Sequence, residues 1–372
     1  MMAVNVFAQP TSTTEQLIKT ASRLAAKGKG LLASDESIGT IGKRIEKAGL
    51  ANTEENRRSY RENFYTADIG ESISGVILFK EALYQKASDG SSFVECLNKQ
   101  GVLAGIKVDE GLVPFEGHEG ETVTKGLEHL EANCQQYYRQ GARFAKWRAA
   151  LKVSDKLPSK DAIEQNAQQL AEYAVICQSC GLVPIVEPEL LIDGDHTIER
   201  FAAASEEVIT CCVQHLQQRH VCLEACLLKL QMVIPGTDCI QPKPTPQQIA
   251  QQTFDVMQRT VPVQSPGIVF LSGGQTEEEA TVNLNAINLH AQQQNHEGWS
   301  LTFSFGRGLQ ASVMSIWSKD QSNKAEARSM AAALAAANAS ACQGKYAPPH
   351  PSILKESLHE KFRGWNANVK SG

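Results

Sequence analysis

The sequence has 372 residues, of which 42% are hydrophobic and 21% charged, and its formal net charge is −5. This composition is typical of a soluble globular protein with an ample core, and its mild acidity gives no electrostatic reason to expect a nucleic-acid or membrane partner. No apolar stretch approaches the roughly 20 residues that a membrane-spanning helix needs.

The first residues predict neither a secretory signal nor an Arg-rich transit peptide, because no Lys or Arg precedes Lys19. We therefore expect a cytoplasmic protein, with the plastid stroma as the alternative if a transit peptide has been removed. The ten cysteines are scattered without a disulfide framework, which fits reduced thiols. Cys177 and Cys180 form C-x-x-C late in a helix-period segment, where packing is favoured over redox or metal binding.

Eight short apolar runs alternate with helical patterns along the chain. They are rich in Val, Ile, Leu and Phe and too short for buried helices, so they predict buried parallel strands. The spacing between them leaves room for a crossover helix each time. The runs cover residues 30–36, 74–80, 102–109, 142–148, 182–189, 222–229, 267–274 and 301–307.

The segments between these runs carry helix signals. Thr245 and Thr276 each begin a capping box, and 197–218 repeats apolar residues at helical spacing. Eight strand–helix units predict an α/β fold, a single (β/α)8 TIM barrel, over an open doubly wound sheet. We expect a lead-in over residues 1–26, a barrel domain over 27–346 and a mobile tail over 347–372.

Nearly every predicted strand ends in polar or charged residues. Catalytic residues of such barrels lie at the carboxyl ends of the strands, and residues spaced i, i+2 point to the same side. We therefore expect these side chains to share one cavity, where acids offset the burial cost of cations. They are Asp35, Lys107, Asp109, Lys146, Arg148, Glu187, Glu189, Lys229, Ser272 and Arg307.

Lys229 lies within the apolar stretch LEACLLKLQMV. Either its long side chain reaches solvent, or burial and repulsion from Lys146 and Arg148 favour a neutral amine. A neutral amine attacks a ketone to give an iminium, an electron sink, and Glu187 is placed to move protons during that step. Such chemistry requires no metal or cofactor.

Glycine-containing loops follow the last two predicted strands, SGG at 272–274 and GRG at 306–308. Barrels of this class bind phosphate at these loops through backbone N–H groups, and Arg307 adds a bidentate charge. The histidines show no metal-ligand spacing, so we expect no transition-metal site. Mg²⁺ held by Glu187 and Glu189 is a minority alternative.

Several motifs together resemble class I fructose-1,6-bisphosphate aldolase: GLLASDES, GVILFKEALYQ, GIKVDEG, GARFAKWR, GLVPIVEPELLIDGDH, LLK, FLSGGQ and FSFGRGLQ. The resemblance covers about residues 15 to 346. It implies reversible cleavage of fructose 1,6-bisphosphate to dihydroxyacetone phosphate and glyceraldehyde 3-phosphate, in glycolysis, gluconeogenesis or the Calvin cycle. It also implies a homotetramer that uses no cofactor.

The resemblance assigns roles residue by residue. Lys229 would form the Schiff base at C2, Glu187 would act as the general acid and base, and Asp35 would take the C4 hydroxyl proton. Lys146 and Arg148 would orient the substrate, and Glu189 would support the two lysines. The C1 phosphate would bind Ser272, Gly273 and Arg307, with Gly274 and Gly306 in the same loops, and the other phosphate would bind Ser37, Thr40, Lys43, Arg44 and Lys107.

The sequence departs from this family in three places. Leu230 and Gln231 follow the lysine where the family usually has Pro and Asn, and Phe305 replaces a frequent Tyr. The chain ends in NVKSG, without the terminal tyrosine of many members, so we expect proton exchange on the enamine to be slower or to use another group. The rival interpretations are another Schiff-base lyase or transaldolase and a non-catalytic binding protein on the same barrel.

Overall fold

The eight apolar runs form eight parallel strands that close into a barrel in the computed structural model, which describes residues 13–360. The predicted (β/α)8 barrel is therefore confirmed. The barrel strands are β1 (Gly30–Ser34), β2 (Ile73–Leu78), β3 (Leu103–Lys107), β6 (Phe144–Leu151), β7 (Val183–Leu190), β8 (Leu227–Leu228), β9 (Gly267–Phe270) and β10 (Ser300–Phe305).

Neighbouring barrel strands follow each other along the chain, and β1 closes the ring against β10. Leu31 pairs with Ser304 and Leu32 with Phe305 at this closure. The remaining strands, β4 (Leu112–Pro114) and β5 (Thr122–Thr124), form a separate antiparallel hairpin. No sequence pattern predicted this hairpin, because three-residue strands are too short for a periodic signal.

Helices separate the strands and cover the outside of the barrel. The predicted capping boxes at Thr245 and Thr276 are both present. The helices are α1 (Thr14–Leu24), α2 (Ile38–Lys47), α3 (Glu54–Tyr65), α4 (Lys80–Tyr84), α5 (Phe93–Lys99), α6 (Leu130–Arg139), α7 (Lys160–Ser179), α8 (Ile198–Gln218), α9 (Pro246–Thr260), α10 (Glu277–Gln293), α11 (Arg307–Lys319) and α12 (Lys324–Ala341). None of them combines the length and the apolar composition that crossing a bilayer requires.

The barrel interior is a core of its own, distinct from the core between strands and helices. Phe144 fills it where small residues leave room, since a Cβ on Gly105 would lie 2.2 Å from the Phe144 ring. Leu17, Ala21 and Leu24 of α1 belong to the same cluster. Side chains thus fill the barrel at the amino ends of its strands. A cavity for a substrate is expected at the carboxyl ends of the strands.

Two parts of the barrel domain and its flanks differ from expectation. The sixth predicted strand is shortened to Leu227–Leu228, because residues Leu223–Ala225 form a 3₁₀ turn. The tail prediction needs correction for residues 347–360, where His350 and Ser352 are buried and hydrogen-bond to α10. The rest of the predicted tail, 361–372, and residues 1–12 of the lead-in lie outside the described residues.

Candidate active site

Four ionisable side chains from four strand ends form a connected chain of contacts. Lys146 Nζ lies 2.8 Å from Asp35 Oδ2 and 2.9 Å from Glu187 Oε2. Lys229 Nζ lies 3.0 Å from Glu187 Oε1. Only 4% of Lys229 is exposed, so its amine does not reach solvent and that alternative is wrong.

Strand register explains why these groups meet. Lys146 and Arg148 are two residues apart on β6, and Glu187 and Glu189 are two apart on β7, so each pair faces one side. Arg148 of β6 pairs with Glu187 of β7 in the ladder, and the Lys229 N–H donates to Val186 O at 2.8 Å. The Arg148 guanidinium donates in turn to the Glu189 carboxylate.

The electrostatics follow from these contacts. Burial alone would raise the pKa of the Asp35 carboxyl, but the ammonium groups of Lys146 and Lys229 outweigh it and hold the pKa far below its usual range. Burial would lower the pKa of the Lys146 ammonium, but Asp35 and Glu187 outweigh it and raise that pKa. Asp35 is therefore ionised and Lys146 is protonated at neutral pH.

These groups line a cavity of about 760 Å³ at the carboxyl end of the barrel. Every site residue predicted from the sequence lines it except Lys43 and Gly274. Lys43 is exposed and does not line the cavity, so its part in phosphate binding stays a prediction. Lys107 contributes an ammonium that lies 2.6 Å from Asp109 Oδ1.

The loop after β9 and the beginning of α11 form one end of the cavity. Gly273 and Gly274 have φ values of +54° and +82°, which glycine adopts without steric cost. Helix α11 begins at Arg307 with Gly306 as N-cap and no side-chain cap. The Leu309 N–H donates to Gly306 O at 3.0 Å, which leaves the N–H groups of Arg307 and Gly308 for an anion. This end suits a phosphate group.

A second cationic group lies at α2. Ser37 caps this helix, and its Oγ accepts from the Thr40 N–H at 3.3 Å. Arg44 lies one turn further on and bonds to Glu36 at 2.8 Å. With Lys107, Arg44 supplies positive charge for an anion at this side of the cavity.

Residues 357–360 lie against the loop after β9. The Leu358 N–H donates to Gly274 O at 3.1 Å, and Arg307 Nη1 donates to Leu358 O at 2.6 Å. Glu360 reaches Arg44 across the mouth of the cavity, with 3.1 Å between Glu360 Oε1 and Arg44 Nε. Gly274 therefore holds this C-terminal segment rather than lining the cavity.

Many residues that line the cavity were not identified from the sequence, Glu36 and Glu360 among them, and Gln231 lines a smaller cavity beside it. Glu36 directly follows Asp35 at the end of β1 and could have been identified by that position. Glu360 lies in a segment without periodicity, and no local signal points to it. Gln231 is two residues beyond Lys229, so the i, i+2 rule applied to β6 and β7 predicts the same face for it.

Metal binding is disfavoured at the two strand-end acids, because Glu187 contacts both lysines and Glu189 contacts Arg148. Elsewhere, Glu164 of α7 and Cys211 and His215 of α8 offer donor atoms within 4.8 Å of one another. These three residues do not line the cavity.

Comparisons with known proteins agree with this geometry. The family profile described as fructose-bisphosphate aldolase class-I matches residues 16–363. Cytoplasmic isozyme 1 of fructose-bisphosphate aldolase from Pisum sativum is 50% identical over 349 residues, which cover 93% of this chain and 96% of the relative. Cytosolic fructose-bisphosphate aldolase 5 from Arabidopsis thaliana is 50% identical over 350 residues, with the same two shares.

A solved structure is similar over almost the whole chain. It is the ternary co-crystal structure of fructose-bisphosphate aldolase from Plasmodium falciparum with TRAP and a small-molecule inhibitor. The two folds agree with a TM-score of 0.87 at 44% sequence identity, over 94% of this chain and 100% of that chain.

Proposed function

Because the chain belongs to the class-I fructose-bisphosphate aldolase family, we propose that it cleaves fructose 1,6-bisphosphate reversibly through a Schiff base on Lys229. The products are dihydroxyacetone phosphate and glyceraldehyde 3-phosphate. The observation that carries the proposal is the buried Lys229 amine, 3.0 Å from a carboxylate and inside the cavity.

Schiff-base formation uses the Lys229–Glu187 contact. The ammonium gives a proton to Glu187, and the neutral amine attacks the C2 carbonyl to form a carbinolamine. Glu187 then returns the proton to the leaving hydroxyl, which departs as water and leaves an iminium. The 2.9 Å contact from Lys146 orients Glu187 for both transfers.

Cleavage uses Asp35. Its ionised carboxylate accepts the C4 hydroxyl proton, the C3–C4 bond breaks, and the bonding electrons move into the iminium to give an enamine. The aldehyde leaves as glyceraldehyde 3-phosphate. Protonation of the enamine at C3 and hydrolysis of the iminium release dihydroxyacetone phosphate and restore Lys229.

Two groups of lining residues support a bisphosphate substrate. Ser272, Gly273 and Arg307 come from the loop after β9 and the start of α11, whereas Ser37 and Arg44 come from α2 and its N-cap. A transaldolase or another Schiff-base lyase acting on a monophosphate would have no use for the second group. The ratio of fructose 1,6-bisphosphate to fructose 1-phosphate cleavage tests this, since Arg44→Met should impair the bisphosphate reaction more.

Borohydride trapping with dihydroxyacetone phosphate in EDTA, followed by peptide mass mapping, tests the mechanism. We expect a reduced adduct on Lys229 and none in Lys229→Met, with every other lysine unmodified in both proteins. Activity abolished by EDTA without an adduct would require a metal mechanism instead. Neither adduct nor activity would favour the non-catalytic binding protein.

The assembly and compartment are also proposals. The relatives from Pisum sativum and Arabidopsis thaliana are named as cytoplasmic and cytosolic proteins, which supports a cytosolic, glycolytic role for this chain. Family resemblance supports a homotetramer. Sedimentation equilibrium at micromolar concentration distinguishes a tetramer from a dimer or a monomer.

A further inference from the structure

Gln231 lies two residues beyond Lys229, a spacing that places both side chains on the same face of an extended strand. Its backbone forms a parallel bridge with Leu271, and the Leu271 N–H donates to Leu230 O at 3.0 Å. This pairing continues the β8–β9 ladder past its regular end. It places the Gln231 side chain beside the loop that begins at Ser272.

The Gln231 amide is buried and unpaired. Only 3% of the residue is exposed, and neither Oε1 nor Nε2 has a hydrogen-bond partner among residues 13–360. Buried polar side chains normally have partners, because leaving them unpaired destabilises the fold. An amide retained in this state within a binding cavity points to a ligand as its partner.

The amide contacts the backbone of the phosphate loop directly. A Cβ on Gly273 would lie 2.0 Å from Gln231 Nε2, so only glycine lets the loop approach this closely. Beside the contact lies a cavity of about 60 Å³, lined by Gln231, Gly273, Arg148 and Arg307 among others. This volume is enough for more than one water-sized group.

Two arginines and three acids line this small cavity: Arg148, Arg307, Glu189, Asp193 and Glu360. Each acid has a basic partner, because Glu189 contacts Arg148, Asp193 lies 3.4 Å from His359 Nε2, and Glu360 lies 3.1 Å from Arg44. Arg307 is half-buried, and within the described residues its only hydrogen bond is to Leu358 O. The remaining guanidinium charge and the amide donor thus converge beside Gly273.

We propose that the Gln231 amide is a further substrate-binding group, which donates a hydrogen bond from Nε2 to the phosphate on C1 of the sugar. The proposal rests on the proposed function, because Lys229 fixes C2, and hence C1, next to this loop. Gln231 thereby takes part in phosphate recognition at a position where the family usually has the shorter Asn.

Three substitutions separate phosphate binding from a structural role. Gln231→Leu removes donor and acceptor, Gln231→Glu keeps the shape but adds a charge that repels phosphate, and Gln231→Asn shortens the reach. We expect KM for fructose 1,6-bisphosphate and the inhibition constant of inorganic phosphate to rise about tenfold in Gln231→Leu and further in Gln231→Glu. Because the phosphate is bound in ground and transition states alike, kcat should change little.

Gln275 provides the matched control. It is also buried, but its Nε2 donates to Ser272 O at 3.0 Å and its Oε1 accepts from Asn283 at 2.6 Å. Gln275→Leu should therefore lower Tm, whereas Gln231→Leu should keep or raise it, since it removes an amide without a partner. Borohydride trapping of unphosphorylated dihydroxyacetone should remain within twofold of wild type in Gln231→Leu.

Unchanged KM and phosphate inhibition in Gln231→Leu and Gln231→Glu would overturn the proposal. It would also fail if Gln231→Leu lost stability as Gln275→Leu does and weakened trapping of both ketones equally, because the amide would then only support the loop. If wild type gave no adduct on Lys229, the proposed function itself would be contradicted. That result is distinct from the two outcomes that would overturn the role of Gln231.

Discussion

Arg44, near the beginning of the barrel, donates a hydrogen bond to Glu360, 316 residues further along the chain. The Glu360 carboxylate thereby pairs with a guanidinium that lines the cavity. Arg44 and Arg307 together lower the pKa of the Glu360 carboxyl, although burial opposes them. A substrate phosphate that uses Arg44 must displace Glu360 or share the cation with it.

Glu360→Gln should therefore bind phosphate more tightly. Exposed ion pairs contribute about 0.2–1 kcal/mol, so we expect the inhibition constant of inorganic phosphate to fall about twofold to fivefold. The effect should shrink at high ionic strength. Glu356→Gln, on the same segment and exposed, serves as the control. Equal phosphate inhibition of both variants and wild type would contradict competition by Glu360.

Asp35→Asn should impair cleavage of the C3–C4 bond without preventing formation of the Schiff base. The amide cannot accept the C4 hydroxyl proton, so we expect kcat for cleavage to fall about 100-fold to 1000-fold, the usual contribution of a general base. The adduct of dihydroxyacetone phosphate on Lys229 needs Glu187 and not Asp35, and it should still be trapped. Loss of both activities would instead assign Asp35 to Schiff-base formation.

Acid should destabilise the native protein through the same carboxyl. Asp35 has a lowered pKa in the folded state and an ordinary one, about 3.9, in the unfolded chain. Below about pH 5 the unfolded state therefore binds more protons, and the free energy of unfolding falls by up to about 1.4 kcal/mol per pH unit for this group. Its contribution is present above the unfolded pKa and is lost as pH falls.

Urea denaturation of wild type and Asp35→Asn at pH 7, 4 and 3 measures this contribution. The difference in unfolding free energy between the two proteins should narrow as pH falls, because the variant has no carboxyl to protonate there. A difference that is constant across this range would show that Asp35 is not held ionised by Lys146.

Glu277 fastens the C-terminal segment to the barrel. Its carboxylate accepts from the Ser312 N–H at 3.0 Å and from Ser352 Oγ at 2.6 Å, and only 1% of the residue is exposed. Glu277→Ala leaves these donors unpaired, so we expect a loss of about 2–4 kcal/mol in the free energy of unfolding. Trypsin should also cleave faster after Lys355.

The neighbouring Glu278 is the control for this substitution. It forms an ion pair with Lys355 at 2.9 Å, and the exposed fractions of the two side chains are 37% for Glu278 and 72% for Lys355. Glu278→Ala should cost less than about 1 kcal/mol. Equal losses for the two variants, measured by urea denaturation, would argue against a fastening role for Glu277.

The barrel and its catalytic end could be predicted because both depend on short-range patterns. A buried strand ending in a polar residue places that residue at the carboxyl edge, and this was enough to bring Asp35, Lys146, Glu187 and Lys229 together. Contacts between individual side chains were harder to predict. The sequence suggested that Lys229 shares a cavity with Lys146, Arg148 and Glu187, and the structure shows which of them it contacts, namely Glu187.

Contacts across long sequence separations could not be read from local patterns. Lys43 and Arg44 are adjacent in a basic segment, yet helix geometry turns Lys43 to solvent and Arg44 to the cavity. Three prolines between 347 and 352 predicted a mobile tail, whereas His350 and Ser352 are buried and hydrogen-bond to α10. Packing of that tail depends on the buried partner Glu277, which lies about 70 residues earlier.

Closure of the barrel between β1 and β10 imposes an order on biosynthesis. The partner of Leu31 is Ser304, so one edge of the first strand stays unpaired until the last strand has been made. At about 5–20 residues per second, the interval is roughly 14 to 55 seconds. During translation, β1 therefore presents an unpaired strand edge of the kind that promotes aggregation.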